Sequence, residues 1–176
     1  MNALENVRAF HVELGDSTSV RKLARDVHNA MGPVDVLINN AGWGQRSAME
    51  EAGEETVRTM FEVNAFAPLW LSQEVIPAMR AKGKGLIVNI SSVTGVFSSP
   101  FGGIYAGTKH ALEGWAESMR MEVESFGIDV VIVQLGPIAT AFLPTSHKRS
   151  EAALKNPDSP VFACLRQLVG VGGPAS

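Results

Sequence analysis

Apolar positions along this chain fall into two kinds of run. Short unbroken runs occur in "VDVLIN" (34–39), "GLIVNIS" (85–91) and "IDVVIVQL" (128–135). Such runs, free of polar alternation, predict strands buried on both faces. "VRAFHVEL" (7–14) is rich in β-branched and aromatic residues and also reads as a strand, broken by Gly15 and Asp16. Between the runs the apolar residues recur at helical spacing. "SVRKLARDVHNAM" predicts a helix capped by Asp16 or Ser17 and ended by Gly32-Pro33. Residues 53–83 predict a long helical stretch, bent or interrupted around Pro68. From Ile104, Ala106, Ala111, Leu112, Trp115, Ala116 and Met119 supply the apolar face of a helix to about Ser125, stopped by Gly127. The tail carries two weaker helical patches over about 148–170, and "GVGGPAS" reads as a frayed end.

Strands alternating with helices specify an α/β fold, with a parallel sheet covered on both faces. In such sheets ligands bind beyond the carboxyl ends of the strands. The loops there are "NAGWG", "SSVTG" and "LGPIAT". Each joins glycine to small hydroxyl, amide or proline residues, and glycine lets the backbone approach a ligand closely. Three such loops at one edge make a binding site.

Composition narrows the function. The net charge is −3 with no basic run, which argues against nucleic acid as the main partner. Cys164 is the single cysteine, so there is no internal disulfide, and it reads as a buried structural thiol. His11, His28, His110 and His147 show no metal-ligand spacing, and no metal is expected. No apolar run reaches about 18 residues, so no membrane span is expected. The amino terminus lacks the apolar core of a signal peptide, and a cytoplasmic protein follows.

One stretch stands out. "GGIYAGTKHALEGW" (102–115) holds the only tyrosine, Tyr105, with Lys109 four residues on. Side chains at i and i+4 of a helix lie about 5–6 Å apart at Cβ. At roughly 5 Å and an effective dielectric near 20, the ammonium favours the phenolate by about 3 kcal/mol. That is roughly two pKa units, enough to bring the phenol toward the neutral range for proton exchange with a substrate. The pair could equally be a surface contact; the rest of the chain decides.

Five motifs in order then resemble the short-chain dehydrogenase/reductase family, over about residues 7–143. They are "NNAG" (39–42) after a strand, Asn64 within the long helix, Ser92 thirteen residues before Tyr105, the Tyr105/Lys109 pair, and "LGPIAT" (135–140). The last departs from the family in carrying Leu135 where proline is usual. The resemblance implies one partial Rossmann-like, doubly wound domain over 1–176, with 144–176 a divergent tail. It implies hydride transfer between NAD or NADP and an alcohol or carbonyl carbon. Tyr105 would be the general acid/base, Lys109 would lower its pKa and bind the nicotinamide ribose, and Ser92 would hydrogen-bond the substrate oxygen. Asn64 would order a water linked to Lys109. Asn40, Ala41 and Gly42 would line the adenosine side, and Gly136, Ile138 and Thr140 the nicotinamide side. Plainer uses exist for several: a strand-end tie for Asn39 and Asn40, a turn for Ser92, a helix bend for Asn64, a cap for Thr140. Glu13 occupies a place that often meets adenine in the family, although a structural role is the preferred reading for it here.

The family's Thr-Gly-x-x-x-Gly-x-Gly turn has no match here, and the chain opens at what resembles the third strand. The resemblance therefore implies a sheet without its first two strands and its last, and an enzyme incomplete and inactive as this chain alone. "VRAFHVEL" would lose its neighbour, and "VDVLIN" would expose an unpaired edge. "GPIATAF" (136–142) resembles the matching segment of hydroxysteroid and retinol dehydrogenases, which implies a hydrophobic alcohol or ketone substrate. Homo-oligomers are implied for the complete form. A non-catalytic interaction module, or a non-redox enzyme on the same Tyr/Lys site, are the alternatives.

Overall fold

The computed structural model describes residues 6–138 and 142–154. Among them three strands, β1 (Val36–Asn39), β2 (Gly85–Ser92) and β3 (Ile128–Leu135), form a parallel sheet in the order β1-β2-β3. The register pairs Asn39 with Asn89, and Ser92 with Leu135. Helices α1 (Ser17–Met31), α2 (Glu54–Phe61), α3 (Ala67–Lys82), α4 (Gly103–Val123) and α5 (Phe142–Leu154) alternate with or follow them. The α/β class and the parallel order of these strands are as the sequence implies.

Local signals act where they are expected. Asp16 caps α1, its carboxylate accepting from Thr18 N at 2.9 Å. Gly127 ends the α4 stretch in the left-handed region, at φ 72°. The stretch over 53–83 is interrupted as predicted: one π-helical turn, Glu62–Phe66, separates α2 from α3, with Pro68 at the start of α3. A π-turn leaves room for a proline that lacks an N–H.

The core explains which faces are buried. Val75 and Met79 of α3, Ala116 and Val123 of α4, Ile87 of β2, and Ile128 and Val130 of β3 form one cluster. Both helices therefore pack on the same sheet face. Helix α1 lies along α3, where Arg21 bonds Glu74 at 2.8 Å and Gln73 at 2.9 Å and covers the Trp70 ring at 4.7 Å.

Two expectations need correction. Residues 7–13 form no strand. Among the described residues no strand lies beside them to accept ladder hydrogen bonds, and the segment is tied to α1 instead, by Arg8 to the Ala30 carbonyl (2.9 Å) and by Glu13 N to Ser19 Oγ (3.0 Å). Glu13 itself accepts from Gly15 N at 3.1 Å, a local turn contact. Nor is β1 buried on both faces. Val36 is 50% and Ile38 61% exposed, and Val131 of β3 is 42% exposed, because α3 and α4 gather on the opposite face.

Thr140, Cys164 and the tail beyond 154 lie outside the described residues. The first of the expected tail helices, α5, begins earlier than predicted, at Phe142. Among the described residues no helix is long and apolar enough to cross a membrane, and no cluster of His, Cys, Asp or Glu could hold a metal ion.

Candidate active site

The loops after the three strands open onto one cavity of about 550 Å³. The loop after β1 contributes Asn40, Ala41 and Gly42, and the segment after β3 contributes Gly136 and Ile138. Ser92 enters from the end of β2, and Tyr105 and Lys109 from the first two turns of α4. Eight of the predicted residues are thus brought to one edge by the parallel sheet.

Ser92 serves two structural contacts as well. Its hydroxyl accepts from Thr94 N (3.2 Å) and from Thr94 Oγ1 (3.0 Å), capping a short turn over Val93–Gly95. The turn reading and the site reading of this serine are therefore compatible. Asn39, the strand-end tie, donates to Asn89 Oδ1 at 2.9 Å.

Asn64 stands behind the cavity rather than in it. The π-turn buries it to 1% exposure. Its Oδ1 accepts from Trp43 N (3.0 Å), and its Nδ2 donates to the Trp43 carbonyl (2.8 Å) and to Thr108 Oγ1 (3.1 Å). From within the π-turn it clamps the loop after β1 to α4. A Cβ on Gly42 would stand 3.2 Å from Asn64 Oδ1 and 3.8 Å from Lys109 Nζ, so this loop passes closely over both groups.

The electrostatics reverse the expectation drawn from Tyr105 and Lys109 alone. Burial pushes the Tyr105 phenol above its ordinary range, and a hydrogen bond with Ser92 offsets part of this. Burial pulls the Lys109 ammonium down to about 8, opposed by the Glu113 carboxylate. Lys109 Nζ donates to the Ile90 carbonyl at 2.8 Å and lies 5.9 Å from the centroid of the Tyr105 ring. Desolvation outweighs the Coulomb attraction in this arrangement.

The arrangement fits part of a dinucleotide. An ammonium has three protons, and the described contact uses one, leaving donors for a ribose or phosphate oxygen.

The sequence reading passed over Gly44, Phe142 and Glu113. The Phe142 ring packs on Tyr105, centroids 5.7 Å apart. A Cβ on Gly44 would meet both rings, at 3.2 Å from Tyr105 and 3.3 Å from Phe142. Gly44 had a signal, as the second glycine of "NAGWG"; the Phe142 contact is tertiary and had none. Trp43, considered as a substrate contact, stacks under the Arg149 guanidinium at 5.0 Å.

Comparison with known proteins fits this geometry. The profile of the short chain dehydrogenase family matches residues 1–151. A 3-ketodihydrosphingosine reductase of Bacteroides thetaiotaomicron is 40% identical over 136 residues, covering 77% of this chain and 51% of its own. A crystal structure of a short-chain dehydrogenase from Streptomyces avermitilis superposes with a TM-score of 0.75 at 40% identity, over 77% of this chain and 50% of that one. A metagenomic short-chain oxidoreductase in complex with NADP superposes with a TM-score of 0.68 at 28% identity, over 76% of this chain and 60% of that one. The chain thus spans about half the length of such relatives. Cavity, motifs and matches agree that the chain belongs to the short-chain dehydrogenase family of oxidoreductases.

Proposed function

We propose that the complete protein is an NAD(P)-dependent oxidoreductase interconverting a hydrophobic alcohol and its ketone or aldehyde. The observation that carries this reading is the convergence of Ser92, Tyr105 and Lys109 on one cavity at the carboxyl ends of the strands. Bound there, a nicotinamide supplies or accepts the hydride. Tyr105 Oη gives the proton to the substrate oxygen during reduction and takes it back during oxidation. Ser92 Oγ donates a hydrogen bond to the same oxygen and supports the developing negative charge. Lys109 Nζ holds the cofactor's ribose, with Asn40, Ala41 and Gly42 on the adenosine side. Gly136, Ile138 and Thr140 hold the nicotinamide side. Asn64 acts as a positioning residue, through Trp43 and Thr108.

Leu135, Ile138 and Phe142 line the cavity and favour an apolar substrate. The keto group in the name of the Bacteroides relative is consistent with this. A cytoplasmic homo-oligomer is the accompanying proposal.

The test is a nicotinamide absorbance assay with NADH and NADPH over a series of apolar ketones. It is run on this chain and on a version extended to the relatives' length. Turnover in the extended protein, abolished by Tyr105→Phe with dinucleotide binding retained, is expected. Retained turnover in Tyr105→Phe removes the phenol from proton transfer.

The exposed Val36 and Ile38 on the edge strand favour a second reading, a non-catalytic interaction module. That reading expects a folded chain that binds no dinucleotide in either length.

A further inference from the structure

Tyr105, Lys109 and Glu113 are spaced by four and share one face of α4. The first two line the cavity, and the third lies one turn further along the helix. Glu113 Oε2 accepts from Gln134 Nε2 of β3 at 3.1 Å. Glu113 Oε1 is buried and has no hydrogen-bond partner among the described residues, as is also true of Ser91 Oγ. Gly95 closes over both: a Cβ there would stand 2.9 Å from Glu113 Oε1 and 2.8 Å from Ser91 Oγ. A carboxylate oxygen stripped of water and donors is costly unless a charge compensates it.

We infer that Glu113 is a positioning residue for the proton-handling pair, its carboxylate fixed by Gln134 and set one helical turn from Lys109 so as to keep that ammonium charged. The inference rests on the redox reading for its purpose. Around Lys109 stand Tyr105 and Glu113 from α4, the Ile90 carbonyl from β2, and Gly42 with the Asn64 carboxamide behind it. Of these, Glu113 brings the negative charge. Burial alone drives Lys109 toward neutrality, and the carboxylate opposes it. A neutral Lys109 would weaken its hold on a ribose oxygen.

The test needs neither cofactor nor turnover, so it can fail while the redox reading stands, and the reverse. The full chain is labelled with trace acetic anhydride across pH, and the Lys109 midpoint is read by mass spectrometry against the exposed Lys22. Glu113→Gln keeps the shape and the acceptor for Gln134 but loses the charge. Its Lys109 midpoint should fall by about one pH unit, roughly a five-fold gain in reactivity at pH 7. Glu113→Asp keeps the charge and should hold the midpoint near that of the parent. An unchanged midpoint in folded Glu113→Gln, or an equal fall in Glu113→Asp, overturns the inference. Should Glu113→Gln fail to fold, Glu113→Met, an apolar residue of similar volume, decides by the same labelling: its Lys109 midpoint should fall likewise, and no fall overturns the inference.

Discussion

Lys109 reaches past Tyr105. Its ammonium bonds the Ile90 carbonyl at 2.8 Å, while the Tyr105 ring centroid lies 5.9 Å away. The two groups share a cavity without a direct hydrogen bond, and burial governs each of them separately.

The phenol should therefore ionise late. The chain has one tyrosine, so phenolate absorbance reports Tyr105 alone. Its midpoint in the folded chain should lie above that of the unfolded chain in denaturant. The folded state then binds the proton more tightly, so this group's contribution to stability is lost as pH rises through that window. A midpoint at or below the unfolded value would contradict the burial.

Ser92→Ala should raise the same midpoint further, because the hydrogen bond that lowers it is gone. It also removes the acceptor for Thr94 N and Thr94 Oγ1, at a cost of about 1 kcal/mol in urea unfolding. A fall in the midpoint would show that Ser92 does not face Tyr105 in solution.

Lys109→Met should abolish a rise in stability that the parent chain shows at alkaline pH. The ammonium is pulled down to about 8, so below that value the fold carries the cost of a buried charge. Between about 8 and the ordinary lysine range the unfolded chain binds more protons, and stability rises with pH. The full difference is on the order of 3 kcal/mol. Thermal melts at neutral and alkaline pH check this: the alkaline gain attributed to Lys109 should be absent from the variant.

Two glycines separate backbone strain from steric clash. Gly83 and Gly127 both sit in the left-handed region, at φ 67° and 72°. A Cβ on Gly83 meets nothing within 4 Å, whereas one on Gly127 would stand 2.3 Å from the Gly83 carbonyl oxygen. Gly83→Ala should cost about 1 kcal/mol, and Gly127→Ala about 2 kcal/mol or more, in denaturant unfolding. Equal losses would mean that the Gly83–Gly127 contact relaxes freely.

Much of this was legible in the residues. Strands β2 and β3 follow unbroken apolar runs, Asp16 and Gly127 bound their helices, and the spacing of Ser92, Tyr105 and Lys109 reflects their shared place at the sheet edge. What escaped reading depends on neighbours. β-propensity at 7–14 becomes a strand only beside another strand. The exposure of Ile38 depends on which side the helices take. The ionisation of Tyr105 is set by burial, which sequence spacing does not reveal. Glu113 did carry a signal, the third member of a four-residue series, but its meaning needed the unpartnered oxygen.

The π-turn at Glu62–Phe66 sets α3 out of phase with α2 by about 100°. Deleting one residue there would knit the two into a single regular helix, a gain by local criteria. The same deletion would swing Asn64 off Trp43 and Thr108 and unfasten the loop after β1 from α4. Engineering that rewards helix regularity would thus dismantle the cavity wall while improving the rod that supports it.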